Sequence, residues 1–441
     1  MAKSITFISA LGVVFGAMAW PAGALAAGPD GTAEPASLHE AAGTGLRLNG
    51  FGTLGVAHAR APEGWGLRRA FNQPSNTGGT RLDVDSRLGL QANYAFTPEF
   101  ELVGQVLLKR LVTSNAQLEW AFAAWRPRPD LTLRLGRTST DIFLASEYRS
   151  VGFAYPSVRP NVDTYGPLPL YAIDGVDLTW HKDVDGARWR VRAFAGQGST
   201  DVPGVVAASL TFQARDALGI TLSHEVGPLS WRATAARFKG RIKPSATSRA
   251  VQSTLQALAA LPVPAAAEAV EMSAQIDDTV RWQQMTYLAL GLAYDDGVWL
   301  ASAEWVRAVS DANYLHGHFG YLSLGRRFGD VTLHATAGRG SNASLTRPPS
   351  RWAEQLAPLI GPQAALQAQW LATQGYTEIN SAMLRQRSLS LGIRWDVHPR
   401  AALKLQFDRF VVERNGSMLW AHGVGEGARP RVVSLALDFV F

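Results

Sequence analysis

Apolar and polar residues alternate along most of this chain with the two-residue period of a strand that has one face in an apolar medium and the other in water. From Leu82 to Phe96, Leu82, Val84, Leu88, Leu90, Ala92, Tyr94 and Phe96 alternate with Asp83, Asp85, Arg87, Gln91 and Asn93. Pro98 marks a tight turn, after which Phe100, Leu102, Val106 and Leu108 oppose Glu101, Gln105 and Lys109. The same rhythm places sixteen strands near 46-59, 81-96, 99-111, 116-127, 130-139, 172-182, 187-197, 215-225, 228-240, 281-296, 297-309, 317-329, 330-341, 385-397, 400-414 and 430-441. Connections around Thr97-Pro98, Pro129, Val184-Asp185, Gly227, Asp296, Gly329 and Pro399 are short. The long ones, 60-80, 140-171, 198-214, 241-280, 342-384 and 415-429, all fall at the other end of the strands, a parity that a miscounted strand would break. The expectation is an all-β chain: a transmembrane antiparallel β-barrel of about 16 strands, with short periplasmic turns and long extracellular loops.

Aromatic residues support the same orientation. Phe96, Phe100, Trp125, Trp180, Trp189, Trp231, Tyr294, Trp299, Phe328, Trp395 and Phe439 lie within a few residues of an assigned periplasmic turn or the terminus, as a girdle at a membrane boundary would. At the amino end, Lys3, the apolar stretch Ile5 to Trp20 and the small-residue pattern Ala24-Leu25-Ala26 read as a secretory signal peptide, 1-26. Residues 27-45 then form a short periplasmic leader and 46-441 the barrel. The signal stretch is short of the ~20 apolar residues of a permanent membrane helix, and the later run Leu255 to Ala267 is cut by Pro262 and Pro264. A length of 441 residues ordinarily implies several soluble domains, but no linker divides the chain, and a barrel grows as one domain with its strand number. The absence of cysteine excludes disulfides and thiolate metal sites. A net charge of +6, or +5 without Lys3, is small for this length and argues only weakly for nucleic acid or anionic lipid as a partner.

Gly50-Phe51-Gly52-Thr53-Leu54-Gly55 in the first strand, Ser86-Arg87-Leu88-Gly89-Leu90-Gln91 in the second, Leu133-Arg134-Leu135-Gly136-Arg137 in the fifth and a closing Phe441 follow one another in this order. With them the chain after Ala26 resembles the Gram-negative general porins. The resemblance implies a sixteen-stranded, usually trimeric diffusion channel in the outer membrane, surrounded by outer-membrane lipid and lipopolysaccharide, with Phe441 as the signal to the barrel-assembly machinery. It also implies a third external loop folded inward as a pore constriction, and 140-171 occupies that slot. In that family the second external loop latches onto a neighbouring subunit. Here it is only a few residues around Thr113-Ser114-Asn115, so a homotrimer does not follow. The loops 241-280 and 342-384 depart from the pattern by their length. Within them Gln252, Leu255, Leu258 and Ala259, then Trp352, Leu356 and Leu359, then Leu366, Trp370 and Leu371 have roughly helical spacing.

A barrel of this size with a polar interior would pass small hydrophilic solutes and ions by diffusion, and the charge at its constriction would set selectivity. Candidates on the inserted loop are Asp141, Glu147, Arg149, Arg159 and Asp163; on the wall, Arg134, Arg188, Arg190, Arg192, Arg232, Arg87 and Lys109. Two roles stand open for them: a field of carboxylates facing guanidiniums across the pore, or guanidiniums pinning the loop to the wall through carboxylate forks. The three arginines at 188, 190 and 192, alternating with Trp189, Val191 and Ala193, tilt the expectation toward a weak anion preference. Asp83, Asp85, Glu101, Glu119, Asp177 and Glu304, inward on the same alternation, oppose it.

Catalytic readings find little. Gly50 to Gly55 matches G-x-G-x-x-G but lies inside a strand rather than before a helix. There is no Walker loop, H-E-x-x-H or G-x-S-x-G, the nine histidines do not fall at metal-ligand spacing, and Ser223 and His224, being adjacent, face opposite sides of their strand. No catalytic residue, cofactor or metal is expected. The rivals to a general diffusion channel are a substrate-specific channel whose long loops build a site, with Trp352, Trp370, Tyr376 and Trp420 available to stack on sugar rings, then an outer-membrane barrel enzyme or a plugged structural barrel.

Overall fold

The computed structural model describes residues 44–74, 78–204, 209–311, 316–342, 348–420 and 427–441. The expected signal peptide, 1-26, and nearly all of the leader lie outside the described residues. The strands are β1 (Gly45–Arg60), β2 (Gly79–Arg81), β3 (Arg87–Ala95), β4 (Phe100–Lys109), β5 (Ala116–Arg128), β6 (Leu131–Ser139), β7 (Ala172–Val184), β8 (Ala187–Pro203), β9 (Ser209–Val226), β10 (Leu229–Ile242), β11 (Gln283–Asp295), β12 (Trp299–Ser310), β13 (Gly317–Phe328), β14 (Val331–Asn342), β15 (Leu384–His398), β16 (Ala401–Ser417) and β17 (Arg431–Val440). From β3 onward each pairs antiparallel with the next, and β17 returns to β1 with Phe51 opposite Val440 and Arg60 opposite Arg431. Because β2 and β3 both pair with β1, at Ala57–Arg81 and Thr53–Arg87, they are one stave, and the closed barrel has sixteen. The sequence expectation of fold and strand number is met.

Closure leaves no sheet edge, and the outer face is apolar. Leu389, Leu391 and Ile393 on β15 are exposed, as are Leu405, Phe407, Val433 and Leu435 on β16 and β17. Phe96, Phe100, Trp125, Trp299, Phe328 and Trp395 are exposed at the end with the tight turns. An apolar surface of this extent is stable only against lipid, so the chain is a transmembrane barrel. Among those turns Gly227 (φ 53°) and Gly329 (φ 60°) hold the left-handed conformation that a side chain would resist.

Two segments differ from the alternation. The stave expected at 81-96 is broken between β2 and β3, where Val84 and Asp85 are both buried and Ser86 Oγ replaces the ladder, accepting from Gly55 N at 3.0 Å and donating to Gly55 O at 3.1 Å. The connection expected at 198-214 is mostly strand: Thr200 opposes Phe212 and Val202 opposes Leu210, extending β8 and β9 beyond the apolar band. Packing explains the extension, since Val202 and Phe212 are buried under the helices described next.

The two longest loops fold into helices: α2 (Ala246–Ala259) and α3 (Ala265–Val280) in one, α4 (Trp352–Ile360) and α5 (Pro362–Ser381) in the other; a single turn, α1 (Val162–Tyr165), lies in the loop at 140-171. Ser245 and Ser248 form a reciprocal capping box that starts α2. Leu255, Met272, Trp352, Leu356 and Ile379 from these helices form one apolar cluster with Phe212, Phe238, Met285, Tyr287, Phe319 and Phe410 from the inner wall. The helices thus cap the extracellular mouth with a dry core. The helical spacing is met in α2, α4 and α5, and Leu255, Leu258, Trp352 and Leu356 are buried. Leu359, Leu366 and Trp370 are helical too, but these lie on the outer face, 51%, 63% and 57% exposed. The packed face of α5 is the small-residue stripe Ala365, Ala368, Ala372 and Gly375, where a β-carbon on Gly375 would lie 3.0 Å from Met272 Sδ. Close approach to α3 selects that face.

Candidate functional site

The loop at 140-171 leaves the extracellular end of β6 and returns to β7 through a neck closed by Thr140 N donating to Tyr171 O at 2.9 Å. It then descends into the barrel and is fastened on three sides.

On the β6 to β10 side, Asp141 lies 3.1 Å from Arg232 and 3.7 Å from Arg192, and Glu147 lies 2.8 Å from Arg192 and 3.4 Å from Arg134. Asp177 on β7 completes this group, 2.8 Å from Arg134 and 3.1 Å from Arg192. Burial works to raise both loop carboxyls, but the surrounding guanidiniums outweigh it and hold Asp141 and Glu147 below the ordinary carboxylate range. On the β3, β16 and β17 side, Arg159 forks onto Asp85 at 2.8 and 2.6 Å, reaches Asp408 at 2.8 Å and donates to Ser434 Oγ at 2.6 Å. Arg87 donates to the loop carbonyl of Ser150 and to Tyr155 Oη, and Lys404 donates to the carbonyls of Gly152, Tyr155 and Ser157 while pairing with Asp438 at 2.8 Å. On the third side Gln386 and Ser388 each donate to Asp163 at 2.5 Å, and Glu304 accepts from Leu144 N and from Tyr165 Oη. Arg149 bonds Glu119 at 2.7 Å and stacks on Tyr171 at 3.4 Å, with Lys109 6.0 Å from the same ring.

Of the two roles left open by the sequence, the contacts are those of pinning. Arg87, Arg134, Arg149, Arg159, Arg192 and Arg232 are buried against carboxylates or carbonyls rather than facing an open lumen. The stack on β8 does not act as a unit: Arg192 is buried among Asp141, Glu147 and Asp177, Arg190 stands 4.0 Å from Glu147, and Arg188 pairs with Asp183 beside the periplasmic turn, away from the loop. The stack therefore gives no ground for an anion preference, because one strand spans several levels of the barrel. Lys404, Asp408, Asp438, Gln386 and Tyr165 belong to the site but were not singled out from the sequence. Asp83, expected inward, forks instead with Arg81 two residues away in the broken stave.

Between the loop and the β11 to β16 wall a gap remains. Its wall side is a register row of polar groups, Ser302 opposite Ser323, Ser323 opposite Thr336, Thr336 opposite Ser390 and Ser390 opposite Asp408. Its loop side carries Tyr148, Tyr155 and Tyr165, and the cavity between them is about 130 Å³. A second cavity of about 130 Å³, lined by Val202, Phe212, Val251, Ile276, Ile379 and Met383 among others, lies under the helical cap and is apolar. Ser223 Oγ accepts from Arg232 inside the barrel while His224 sits outside between Trp189 and Trp231, so the two face opposite sides as alternation requires.

Burial pushes Asp163 up to about 6, with the hydrogen bonds from Ser388, Gln386 and Asn161 only partly opposing it. A carboxyl raised in the folded state keeps a proton that the unfolded chain releases, so its contribution favours folding at low pH and declines as pH rises from the ordinary value of 3.8 through about 6. The unfolding midpoint in detergent is expected to fall between pH 5 and pH 8, and Asp163→Asn to reduce that fall. An identical fall in both proteins would contradict the assignment.

No protein-family model matches the sequence, and no curated protein matches it. Among solved structures, Salmonella typhi OmpF in complex with daunomycin is similar at 11% identity, covering 90% of this chain and 98% of that one with a TM-score of 0.49. The outer membrane channel DcaP of Acinetobacter baumannii gives the same identity, coverage and score. Pseudomonas putida OprB at high pH is similar at 10% identity, covering 90% of this chain and 94% of that one with a TM-score of 0.47.

Proposed function

We propose that this barrel is a porin-type channel of a Gram-negative outer membrane, passing small uncharged, hydroxylated solutes passively and restrictively rather than conducting ions freely. The observation that carries this reading is the hydroxyl row of Ser302, Ser323, Thr336 and Ser390 facing loop tyrosines across the gap, beside loop carboxylates and wall guanidiniums that, among the described residues, are mostly held in ion pairs or hydrogen bonds. Hydroxyl groups both donate and accept, and aromatic faces suit the apolar side of a sugar ring, so such a path replaces a polyol's hydration without demanding a charge. The expected result is swelling of liposomes loaded with the refolded protein in small polyols, saturating with concentration, and roughly tenfold slower in a Ser323→Ala, Thr336→Val, Ser390→Ala variant if one to two hydrogen bonds are lost at the narrowest point. Equal rates in the variant would remove the hydroxyl row from the path.

A second reading follows from the apolar cavity under the cap: long loops that capture a small apolar solute before transfer inward. Quenching of tryptophan fluorescence by a medium-chain fatty acid, abolished by Val251→Asp, would favour it over polyol diffusion.

A further inference from the structure

The outward positions at the extracellular ends of five adjacent staves are all arginine: Arg339 on β14, Arg387 on β15, Arg409 on β16, Arg431 on β17 and Arg60 on β1, every one exposed. Strand register sets them side by side. Arg339 lies directly opposite Arg387, Arg409 directly opposite Arg431, and Arg431 directly opposite Arg60, while Arg387 and Arg409 are diagonal neighbours. Like charges placed opposite each other across strands are destabilising, and here three such pairs follow in succession. Among the described residues none of the five takes part in an ion pair; the pair just above them, Arg385 with Glu413 at 3.0 Å, involves neither partner. Elsewhere on the outer surface the chain neutralises such a group: Arg137 on β6 forks onto Asp174 on β7 with both bonds at 2.7 Å.

Their level is defined by what lies beneath. On β15 the outward positions run Arg387, Leu389, Leu391, Ile393, Trp395; on β17, Arg431, Val433, Leu435, Leu437; on β16, Arg409, Phe407, Leu405. The eight steps from Trp395 to Arg387, at ~3.4 Å per residue and a tilt of roughly 40°, rise about 20 Å, close to the ~25 Å height of a barrel's apolar band. The arginines therefore stand where hydrocarbon gives way to headgroups on the extracellular side.

We infer that this five-stave row is a binding surface for the phosphate groups of a phosphorylated, multiply acylated glycolipid in the outer leaflet, whose acyl chains lie on the leucine-rich strip below. Guanidiniums fork onto phosphate oxygens, and bound phosphate converts a repulsive row into an attractive one. A second copy of this chain related by a two-fold axis does not satisfy the same surface, because that contact would set arginine against arginine. The inference rests on the reading of the barrel as outer-membrane, with its long loops outside.

The test compares the wild-type chain with an Arg339→Gln, Arg387→Gln, Arg409→Gln, Arg431→Gln variant, both refolded in detergent. Native mass spectrometry would count bound molecules of bis-phosphorylated lipid A, of phosphatidylglycerol and of inorganic phosphate. Lipid A is expected to remain on the wild type, phosphatidylglycerol and free phosphate to be lost first, and the variant to bind lipid A roughly tenfold or more weakly. Because the changes relieve repulsion, the variant should unfold no earlier than wild type in detergent without lipid A. Equal retention of lipid A by the variant, or saturation of the wild type by inorganic phosphate alone, would overturn the inference. Polyol flux is read separately: its loss in wild type would sink the channel reading without touching the lipid count.

Discussion

Replacing Arg159 with alanine is expected to release the inserted loop from the wall and raise the channel's conductance. Arg159 is 3% exposed and its guanidinium meets Asp85, Asp408 and Ser434 together. Removing it leaves two buried carboxylates without their partner, a loss that costs about 3–5 kcal/mol when one member of a buried pair is deleted. The sixteen-stave wall does not depend on this contact, so the cost should fall on loop docking rather than on barrel closure. Arg159→Lys should recover only part of the effect, since an ammonium cannot fork onto Asp85 while reaching Asp408. Conductance of Arg159→Ala equal to wild type, with the barrel intact by circular dichroism, would show that the loop is held without it.

The second large effect is expected at Trp352. Its ring is fully buried in the cap core and its indole N–H donates to Glu268 Oε2 at 2.6 Å, tying α4 to α3. Truncation to alanine removes about 3–5 kcal/mol of packing, which the cap must lose because the strands below are closed by their own ladders. Polyol flux should rise and its saturation disappear as the mouth opens. Trp370, 57% exposed on α5, is the internal control, and Trp370→Ala should leave flux unchanged. A similar rise in both variants would mean that the cap does not obstruct the mouth.

These effects bear on what a strand pattern can and cannot reveal. Alternation is local, so Leu102 and Glu101 declare their faces from their neighbours alone, and the sixteen staves follow. Depth along a stave is not local: Arg188 and Arg192 share a face, yet one meets Asp183 at the turn and the other the inserted loop. Lys404 and Asp438 could have been found by continuing the inward set of Ala402, Lys404, Gln406 and Asp408 on β16 and asking which diagonal neighbour on β17 carries charge. Filling of the upper lumen could not be read this way, because Phe212, Phe238 and Tyr287 look like lipid- or lumen-facing strand residues until α2 to α5 fold back over them. For α5 the helical period was legible but the packed face was not, since close helix approach favoured Ala365, Ala368 and Ala372 over Leu366 and Trp370.

The inserted loop and helical cap together fill a sixteen-stave barrel that would otherwise conduct. Single-channel conductance in a planar bilayer, recorded for the wild-type chain and for a variant with residues 244-281 and 350-383 each replaced by a short glycine-serine turn, tests it directly. Small or absent steps in the wild type and large, ohmic steps in the capless variant are predicted. Large ohmic steps of the same size in both would mean that the cap does not obstruct the mouth and that the barrel is an open diffusion pore.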